Sequence, residues 1–177
     1  MPALTQTALM ERIDAFTLPD EARMWMHTAN RLLTDEECRA VERHLASFVS
    51  SWVAHGTPLK AEFGILLNQV VVVAVDETRQ VATGCSIDAS VAALRAVNGL
   101  LPSLEDLNLF DRGWVVHAPA QADKAWQTTK LHEYWAMRKA GILRDESLLL
   151  DTTLTTLGDL RAQGIKPLGD SWHTEMW

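Results

Sequence analysis

A run of valines near the middle of the chain constrains its fold more than any other feature. Residues 70–75 read Val-Val-Val-Val-Ala-Val, and β-branched side chains lose rotamer freedom in a helix but pack well on a sheet. A second apolar run occupies residues 59–67, and Asn68 and Gln69 lie between the two. The sequence therefore predicts two extended strands joined by a tight hairpin.

Helical signals flank this hairpin on both sides. Thr34 and Glu37 form a capping-box pattern, and apolar residues then recur at helical spacing. This pattern predicts a helix over residues 35–54, ended by Gly56 and Pro58. Residues 86–97 predict a second helix.

The order of the segments indicates the fold class. Residues 23–29 and 113–118 read as further strands, so strands and a hairpin alternate with helices before a mostly helical end. We expect a single α+β domain with an antiparallel or mixed sheet packed against helices. Its parts would be an N-terminal extension of uncertain order (1–20), an α+β core (21–118) and a helical or irregular C-terminal part (119–177) packing on the same domain. Residues 118–123 resemble a linker.

The charge balance argues against two classes of partner. The 177 residues include 16 basic and 23 acidic side chains, for a formal net charge of −7. An acidic surface repels phosphate backbones and anionic membranes, so we expect neither nucleic-acid nor membrane binding. The chain has only two cysteines and shows no signal-peptide pattern, which predicts a cytoplasmic location.

Cys85 is the strongest candidate for chemistry. It follows a glycine and precedes the second predicted helix, for which Ser86 or Asp88 could be the cap. A thiol at a helix N-terminus faces the positive end of the dipole and free N–H groups, which favour the nucleophilic thiolate. A small residue between helix and strand can equally be buried and inert, so both interpretations stay open.

A catalytic thiol needs a base and an acid that orients the base. His55, at the end of the first predicted helix, and His173, in the C-terminal tail, are the candidate bases. Asp88 or Asp76 would be the orienting acid. Such a site predicts a hydrolase or an acyl-transfer enzyme. His55 could instead cap helix carbonyls.

No cofactor is recognisable in the sequence. It lacks the phosphate-binding P-loop and the Gly-x-Gly-x-x-Gly pattern of dinucleotide sites. His55, Cys85 and His173 are suitable zinc ligands, but no two have close ligand spacing. We therefore assign no metal site and leave zinc open.

Several short motifs resemble those of a small uncharacterised bacterial protein family whose members are often labelled automatically as an ABC transporter ATPase. The motifs lie between residues 23 and 177, and the most specific are Gly-Cys-Ser-Ile-Asp at 84–88 and Ser-Trp-His at 171–173. The missing P-loop contradicts the ATPase label, and the resemblance implies no particular reaction. It assigns no role to residues 151–156, where the family has an Asn-containing stretch. The polar signature that it implies consists of His55, Asp76, Cys85, Asp88, Asp111, Arg112 and His173.

The same residues also allow a non-enzymatic interaction or regulatory module. Asp111 and Arg112 would then form an ion pair or bond to the backbone, whereas in a functional site they would bind the ligand. An exposed strand over residues 23–29 could pair with a second copy to make a homodimer. The expected partner is thus an unknown small molecule or a protein.

Overall fold

Two main antiparallel sheets, of three and four strands, a small two-stranded hairpin and the helices packed on them form the described part of the fold. The computed structural model describes residues 5–119 and 125–176. The helices are α1 (Gln6–Asp14), α2 (Asp35–Ser51), α3 (Gly84–Ala96), α4 (Leu131–Lys139) and α5 (Leu157–Gln163). The strands are β1 (Arg23–Thr28), β2 (Val53–Ala54), β3 (Thr57–Pro58), β4 (Lys60–Leu66), β5 (Val70–Asp76), β6 (Trp114–Ala118), β7 (Gln127–Lys130), β8 (Leu148–Leu150) and β9 (Ile165–Pro167). The expected α+β fold is confirmed.

The valine run forms the centre of the first sheet. The strand order is β1-β5-β4, and every residue of β5 is buried. The turn of the β4–β5 hairpin lies at Leu67 and Asn68, whose φ angles are 55° and 50°, one residue earlier than predicted. Gln69 is instead buried, and its side-chain amide donates to the Ala29 carbonyl at 3.0 Å.

Helix α2 begins as predicted, since Thr34 and Glu37 form the full capping box. It ends at Ser51 rather than at residue 54. The chain then makes the small β2–β3 hairpin, with a turn at His55 and Gly56 whose φ angles are 51° and 79°. The indole N–H of Trp52 donates to the Ser86 carbonyl at 2.8 Å and so fixes the chain at this exit.

The second sheet has the order β7-β6-β8-β9. Three of these strands come from the part of the chain, 119–177, that we expected to be mainly helical or irregular. Thr128 and Thr129 lie in β7 and pair with β6. Their β-branched side chains suit this role. The predicted linker at 118–123 falls largely outside the described residues.

Three buried clusters hold these layers together. The first lies between the first sheet and helices α2 and α3, and the second lies between the two sheets, with α1 and α5. The third lies behind the second sheet, under α4. The segment that we set apart as an N-terminal extension contributes Leu9, Ile13, Phe16 and Leu18 to the second cluster. No helix in the described ranges is long and apolar enough to cross a membrane.

The outer edge of β1 is partly occupied within the chain. The Met24 N–H donates to the Thr155 carbonyl at 2.8 Å, and Arg23 bridges to Thr156. This contact brings the segment after β8 against the first sheet. Beyond it, residues from both sheets line a cleft.

Candidate functional site

The cleft between the two sheets has a volume of about 340 Å³, which is enough for a small molecule. Its first wall is β1, its second is residues 109–115, and its third is residues 150–155 together with Trp172 and His173. The segment 151–156, to which the family resemblance assigned no role, thus supplies most of one wall.

A larger groove, of about 400 Å³, lies between α1, α2 and β4. Its lining is mostly apolar, and its charged members are Arg12 and Glu62. Glu62 already accepts hydrogen bonds from the backbone N–H and the hydroxyl of Thr17. The cleft therefore offers more unused polar groups than this groove.

One part of the cleft combines an imidazole with a cation. His27 Nδ1 lies 3.3 Å from the Leu109 carbonyl, and because a carbonyl only accepts, Nδ1 carries the proton. Burial lowers the pKa of His27, and the charge of nearby Arg112 lowers it further. Arg112 is exposed and makes no ion pair with any residue that the structure describes.

The neighbouring carboxylate is already paired. Asp111 forms an ion pair with Lys130 and accepts the Gly113 N–H at 2.9 Å. Both contacts, the lysine first, lower the pKa of Asp111. Lys130 also lies 4.1 Å from the centre of the Trp114 ring. Lys130 and the Gly113 N–H thus largely compensate the negative charge of Asp111 without any contribution from Arg112.

A second carboxylate, which unlike Asp111 is buried, organises the opposite wall. Asp151 accepts hydrogen bonds from the Thr153 N–H at 3.0 Å and from Lys166 Nζ at 2.9 Å. Burial by itself would raise the pKa of Asp151, but these hydrogen bonds and the lysine charge lower it overall. Asp151 is therefore ionised and holds the loop that follows β8.

His173 lies beside this wall and is only 5% exposed. Its ring stacks on Trp172 at a centroid distance of 4.0 Å and meets the Tyr134 ring edge-on at 5.6 Å. Burial lowers the pKa of His173, while the charge of Asp151 acts in the opposite direction. The imidazole is thus held in one orientation and is mostly neutral near pH 7.

His173 is the first member of a row of three buried rings. Tyr134 meets His117 edge-on at 4.9 Å, and His117 Nε2 lies 2.7 Å from Thr129 Oγ1. We call His117, Tyr134 and His173 the buried triad. Burial lowers the pKa of His117 to about 4 and raises that of Tyr134 to about 12.

The buried triad has unsatisfied hydrogen-bonding atoms. His117 Nδ1, the Tyr134 hydroxyl and His173 Nδ1 are buried and have no partner among the described residues. A buried polar group without a partner costs about 1–3 kcal/mol. Of the three residues, only His173 lines the cleft, so His173 is the member that a bound molecule can meet.

Sequence reasoning missed His27, His117 and Tyr134. The partner of His27 is 82 residues away, and that of His117 is 12 residues away. Local spacing cannot reveal such contacts. The available signal was a polar His117 in the otherwise apolar strand β6.

Of the residues singled out from the sequence, Asp111, Arg112 and His173 come together at the cleft. Cys85 lies elsewhere, exposed in the first turn of α3. The N-cap residue of that helix is Thr83, which accepts from the Ser86 N–H, and the Ser86 hydroxyl completes the capping box by accepting the Thr83 N–H. The predicted capping role is thus confirmed in part for Ser86 and was wrong for Asp88. Asp88 is exposed on the same helix.

The remaining candidates also lie apart from the cleft. His55 is exposed in the β2–β3 turn and does not end a helix, because α2 stops at Ser51. Asp76 accepts from the Thr78 N–H at 3.0 Å and pairs with Lys60 at 3.4 Å. The hydrogen bonds from Thr78, followed by Lys60, lower the pKa of Asp76.

The geometry assembles neither a thiol–imidazole pair nor a metal centre from the described residues. No hydrogen bond there joins Cys85 to His55 or His173. No group of three His, Cys, Asp or Glu side chains in the described ranges could hold a metal ion. The zinc set of His55, Cys85 and His173 is therefore not formed.

Comparisons of the chain with protein-family models, with curated proteins and with solved structures found no match. The family resemblance drawn from the short motifs thus stays a prediction. What can be said of function rests on the chemistry of the cleft.

Proposed function

We propose that the cleft between the two sheets binds a small anionic molecule with a flat apolar body. The observation that carries this proposal is Arg112, an exposed cation at the cleft that makes no ion pair within the described residues. A guanidinium group presents paired donors that match a carboxylate or a phosphate.

The charges of the other polar groups support an anionic ligand. Burial favours the neutral form of His27 and of His173. Asp111 is paired with Lys130, and Asp151 is paired with Lys166. Arg112 is therefore the main uncompensated charge at the cleft, although the whole chain is acidic.

Aromatic side chains in the lining support a flat body for the ligand. Phe110, Trp114 and Trp172 line the cleft, and Phe110 and Trp172 remain 37% and 42% exposed. Rings of this kind bind planar groups by offset stacking or edge-on contact. An aromatic or conjugated acid combines both requirements.

Ligand-observed NMR tests the proposal with benzoate, phenyl phosphate and the neutral analogue benzamide. We expect at least one of the two anions to bind more tightly than benzamide, and Arg112→Gln to weaken that binding about tenfold. Arg39→Gln, which changes an exposed arginine on α2, is the matched control. The proposal fails if neither anion binds, or if both arginine variants bind the anions equally well.

A second candidate is the thiol-centred hydrolase or acyl-transfer site. It is supported by the exposure of Cys85 in the first turn of the 13-residue helix α3. Both cysteines are free, which also supports a cytoplasmic location. The dependence of Cys85 alkylation on His55 and His173 decides this candidate.

A further inference from the structure

We propose that the ligand of the cleft carries a hydroxyl or carbonyl group remote from its acidic group, and that His173 binds this second group. This inference rests on the proposed anion site and adds the second polar group of the ligand. It defines the ligand class as planar acids with a distal hydroxyl or carbonyl.

The first argument is the unused hydrogen-bonding capacity of His173. The residue is 5% exposed and lines the cleft, and its Nδ1 has no partner in the described part of the chain. Buried polar side chains are almost always hydrogen-bonded. Nδ1 itself is closed to solvent, but the other ring nitrogen, Nε2, is neither closed off nor hydrogen-bonded to a described residue, so it is the atom that a ligand in the cleft can reach.

The second argument is that the nearest charged side chain does not supply this partner. Asp151 is committed to the Thr153 N–H and hydroxyl and to Lys166. It acts on His173 only through its charge. The imidazole is therefore available to a ligand.

The third argument is that the imidazole is already oriented. Trp172 stacks on one side of the ring, and Tyr134 contacts it edge-on. A group held in place before binding loses little conformational entropy when the ligand arrives. A neutral imidazole has one N–H donor and one lone pair, so it can bind a hydroxyl or a carbonyl.

The fourth argument is the separation of the two polar contacts. Arg112 lies close enough to His27 to influence its charge, whereas His173 lies close enough to Asp151 for the same effect. Arg112 belongs to the second wall of the cleft and His173 to the third. A ligand that contacts both walls presents a separate polar group to each, and the aromatic lining suits a planar spacer between those groups.

Three pairs of probes of increasing length test this inference by titration in ligand-observed NMR. The pairs are benzoate and 4-hydroxybenzoate, phenylacetate and 4-hydroxyphenylacetate, and cinnamate and 4-hydroxycinnamate. We expect the hydroxylated member of the pair with the fitting length to bind about fivefold more tightly than its partner, as one added hydrogen bond allows. His173→Phe keeps a ring at this position and should abolish the gain, so that the two members of the pair bind the variant with equal affinity.

His132→Phe is the matched control, because His132 is exposed on α4 and does not line the cleft. If His173→Phe does not fold, the ¹⁵N resonances of the His173 ring in the wild-type protein replace it, and they should shift more with the hydroxylated acid than with its partner. Equal affinity within all three pairs overturns this inference and leaves the anion site intact. Absence of binding by all six acids overturns this inference, and it overturns the anion site as well if phenyl phosphate also fails to bind.

Discussion

The start of helix α3 and the cleft each carry a candidate reactive side chain, and the two places differ in hydrogen bonding. At α3, Thr83 accepts the Ser86 N–H and the Ser86 hydroxyl accepts the Thr83 N–H. The exposed Cys85 lies inside this completed capping box. In the cleft, His173 is buried and its Nδ1 has no partner in the described residues.

This difference shows that the more exposed side chain is not the one with unused hydrogen-bonding capacity. Cys85 is accessible, but the capping box already uses the N–H of Ser86, one of those that could stabilise a thiolate. His173 is enclosed, yet its hydrogen-bonding capacity is unused. Buried groups without partners are therefore better indicators of a ligand site in this molecule than an exposed nucleophile.

The largest effect should appear in the alkylation of the two cysteines by iodoacetamide. Cys38 is 8% exposed and burial raises its pKa to about 11, so about one such thiol in a thousand is ionised at pH 8. We expect Cys85 to react at least about 100-fold faster than Cys38 in the native protein. Mass spectrometry of the labelled peptides gives both rates.

The same assay on His55→Ala and His173→Ala tests the comparison directly. We expect neither change to alter the rate at Cys85, because no hydrogen bond joins these side chains. A decrease of tenfold or more in either variant would identify an imidazole that activates the thiol. The thiol-centred enzyme would then replace the cleft as the leading hypothesis.

The buried triad should make the protein less stable in acid. The pKa of His117 is about 4 in the folded state, against 6.5 for an unperturbed histidine. Between these values the unfolded chain binds a proton that the folded chain does not, so the free energy of unfolding falls as the pH falls. The loss from His117 should reach about 3 kcal/mol by pH 4.

Urea denaturation between pH 7 and pH 4 measures this loss. His117→Gln should flatten the dependence on pH, whereas His132→Gln, at an exposed position, should leave it unchanged. An increase in the stability of the wild-type protein on acidification from pH 6.5 to pH 5 would contradict the burial of neutral histidines.

A smaller effect is expected at Tyr134, the single tyrosine of the chain. Its buried hydroxyl has no partner among the described residues, so Tyr134→Phe should raise the free energy of unfolding by about 1 kcal/mol. Absorbance titration of the wild-type protein should detect tyrosinate only near pH 12. A loss of stability in Tyr134→Phe would mean that the hydroxyl is bonded after all.

The smallest effect concerns the cap of α3. Thr83→Ala should lower the free energy of unfolding by about 1 kcal/mol, because the Ser86 N–H loses its acceptor. Thr156→Ala removes the equivalent cap of α5 and should lower it by a similar amount. Only Thr83→Ala should accelerate the alkylation of Cys85, since it frees an N–H beside the thiol. Equal alkylation in both variants would show that the capping box does not influence Cys85.

The sequence alone determined the elements whose causes are local. The valine run gave a buried strand because β-branched side chains disfavour a helix. The capping box at Thr34 and Glu37 fixed the start of α2 because its contacts span only three residues. The strands β7 to β9 were mostly missed, since they are three or four residues long and β7 is polar.

Only the tertiary structure decided which polar residues meet. Three of the predicted site residues, Asp111, Arg112 and His173, reach the cleft because the segment after β8 docks against β1. Cys85 does not, because its helix packs with α2 against the first sheet. Periodicity reports which face of an element is buried, but the identity of the facing element depends on contacts between distant parts of the chain. For this reason the sequence pointed to a thiol site at Cys85, whereas contacts between distant parts of the chain assemble the cleft elsewhere.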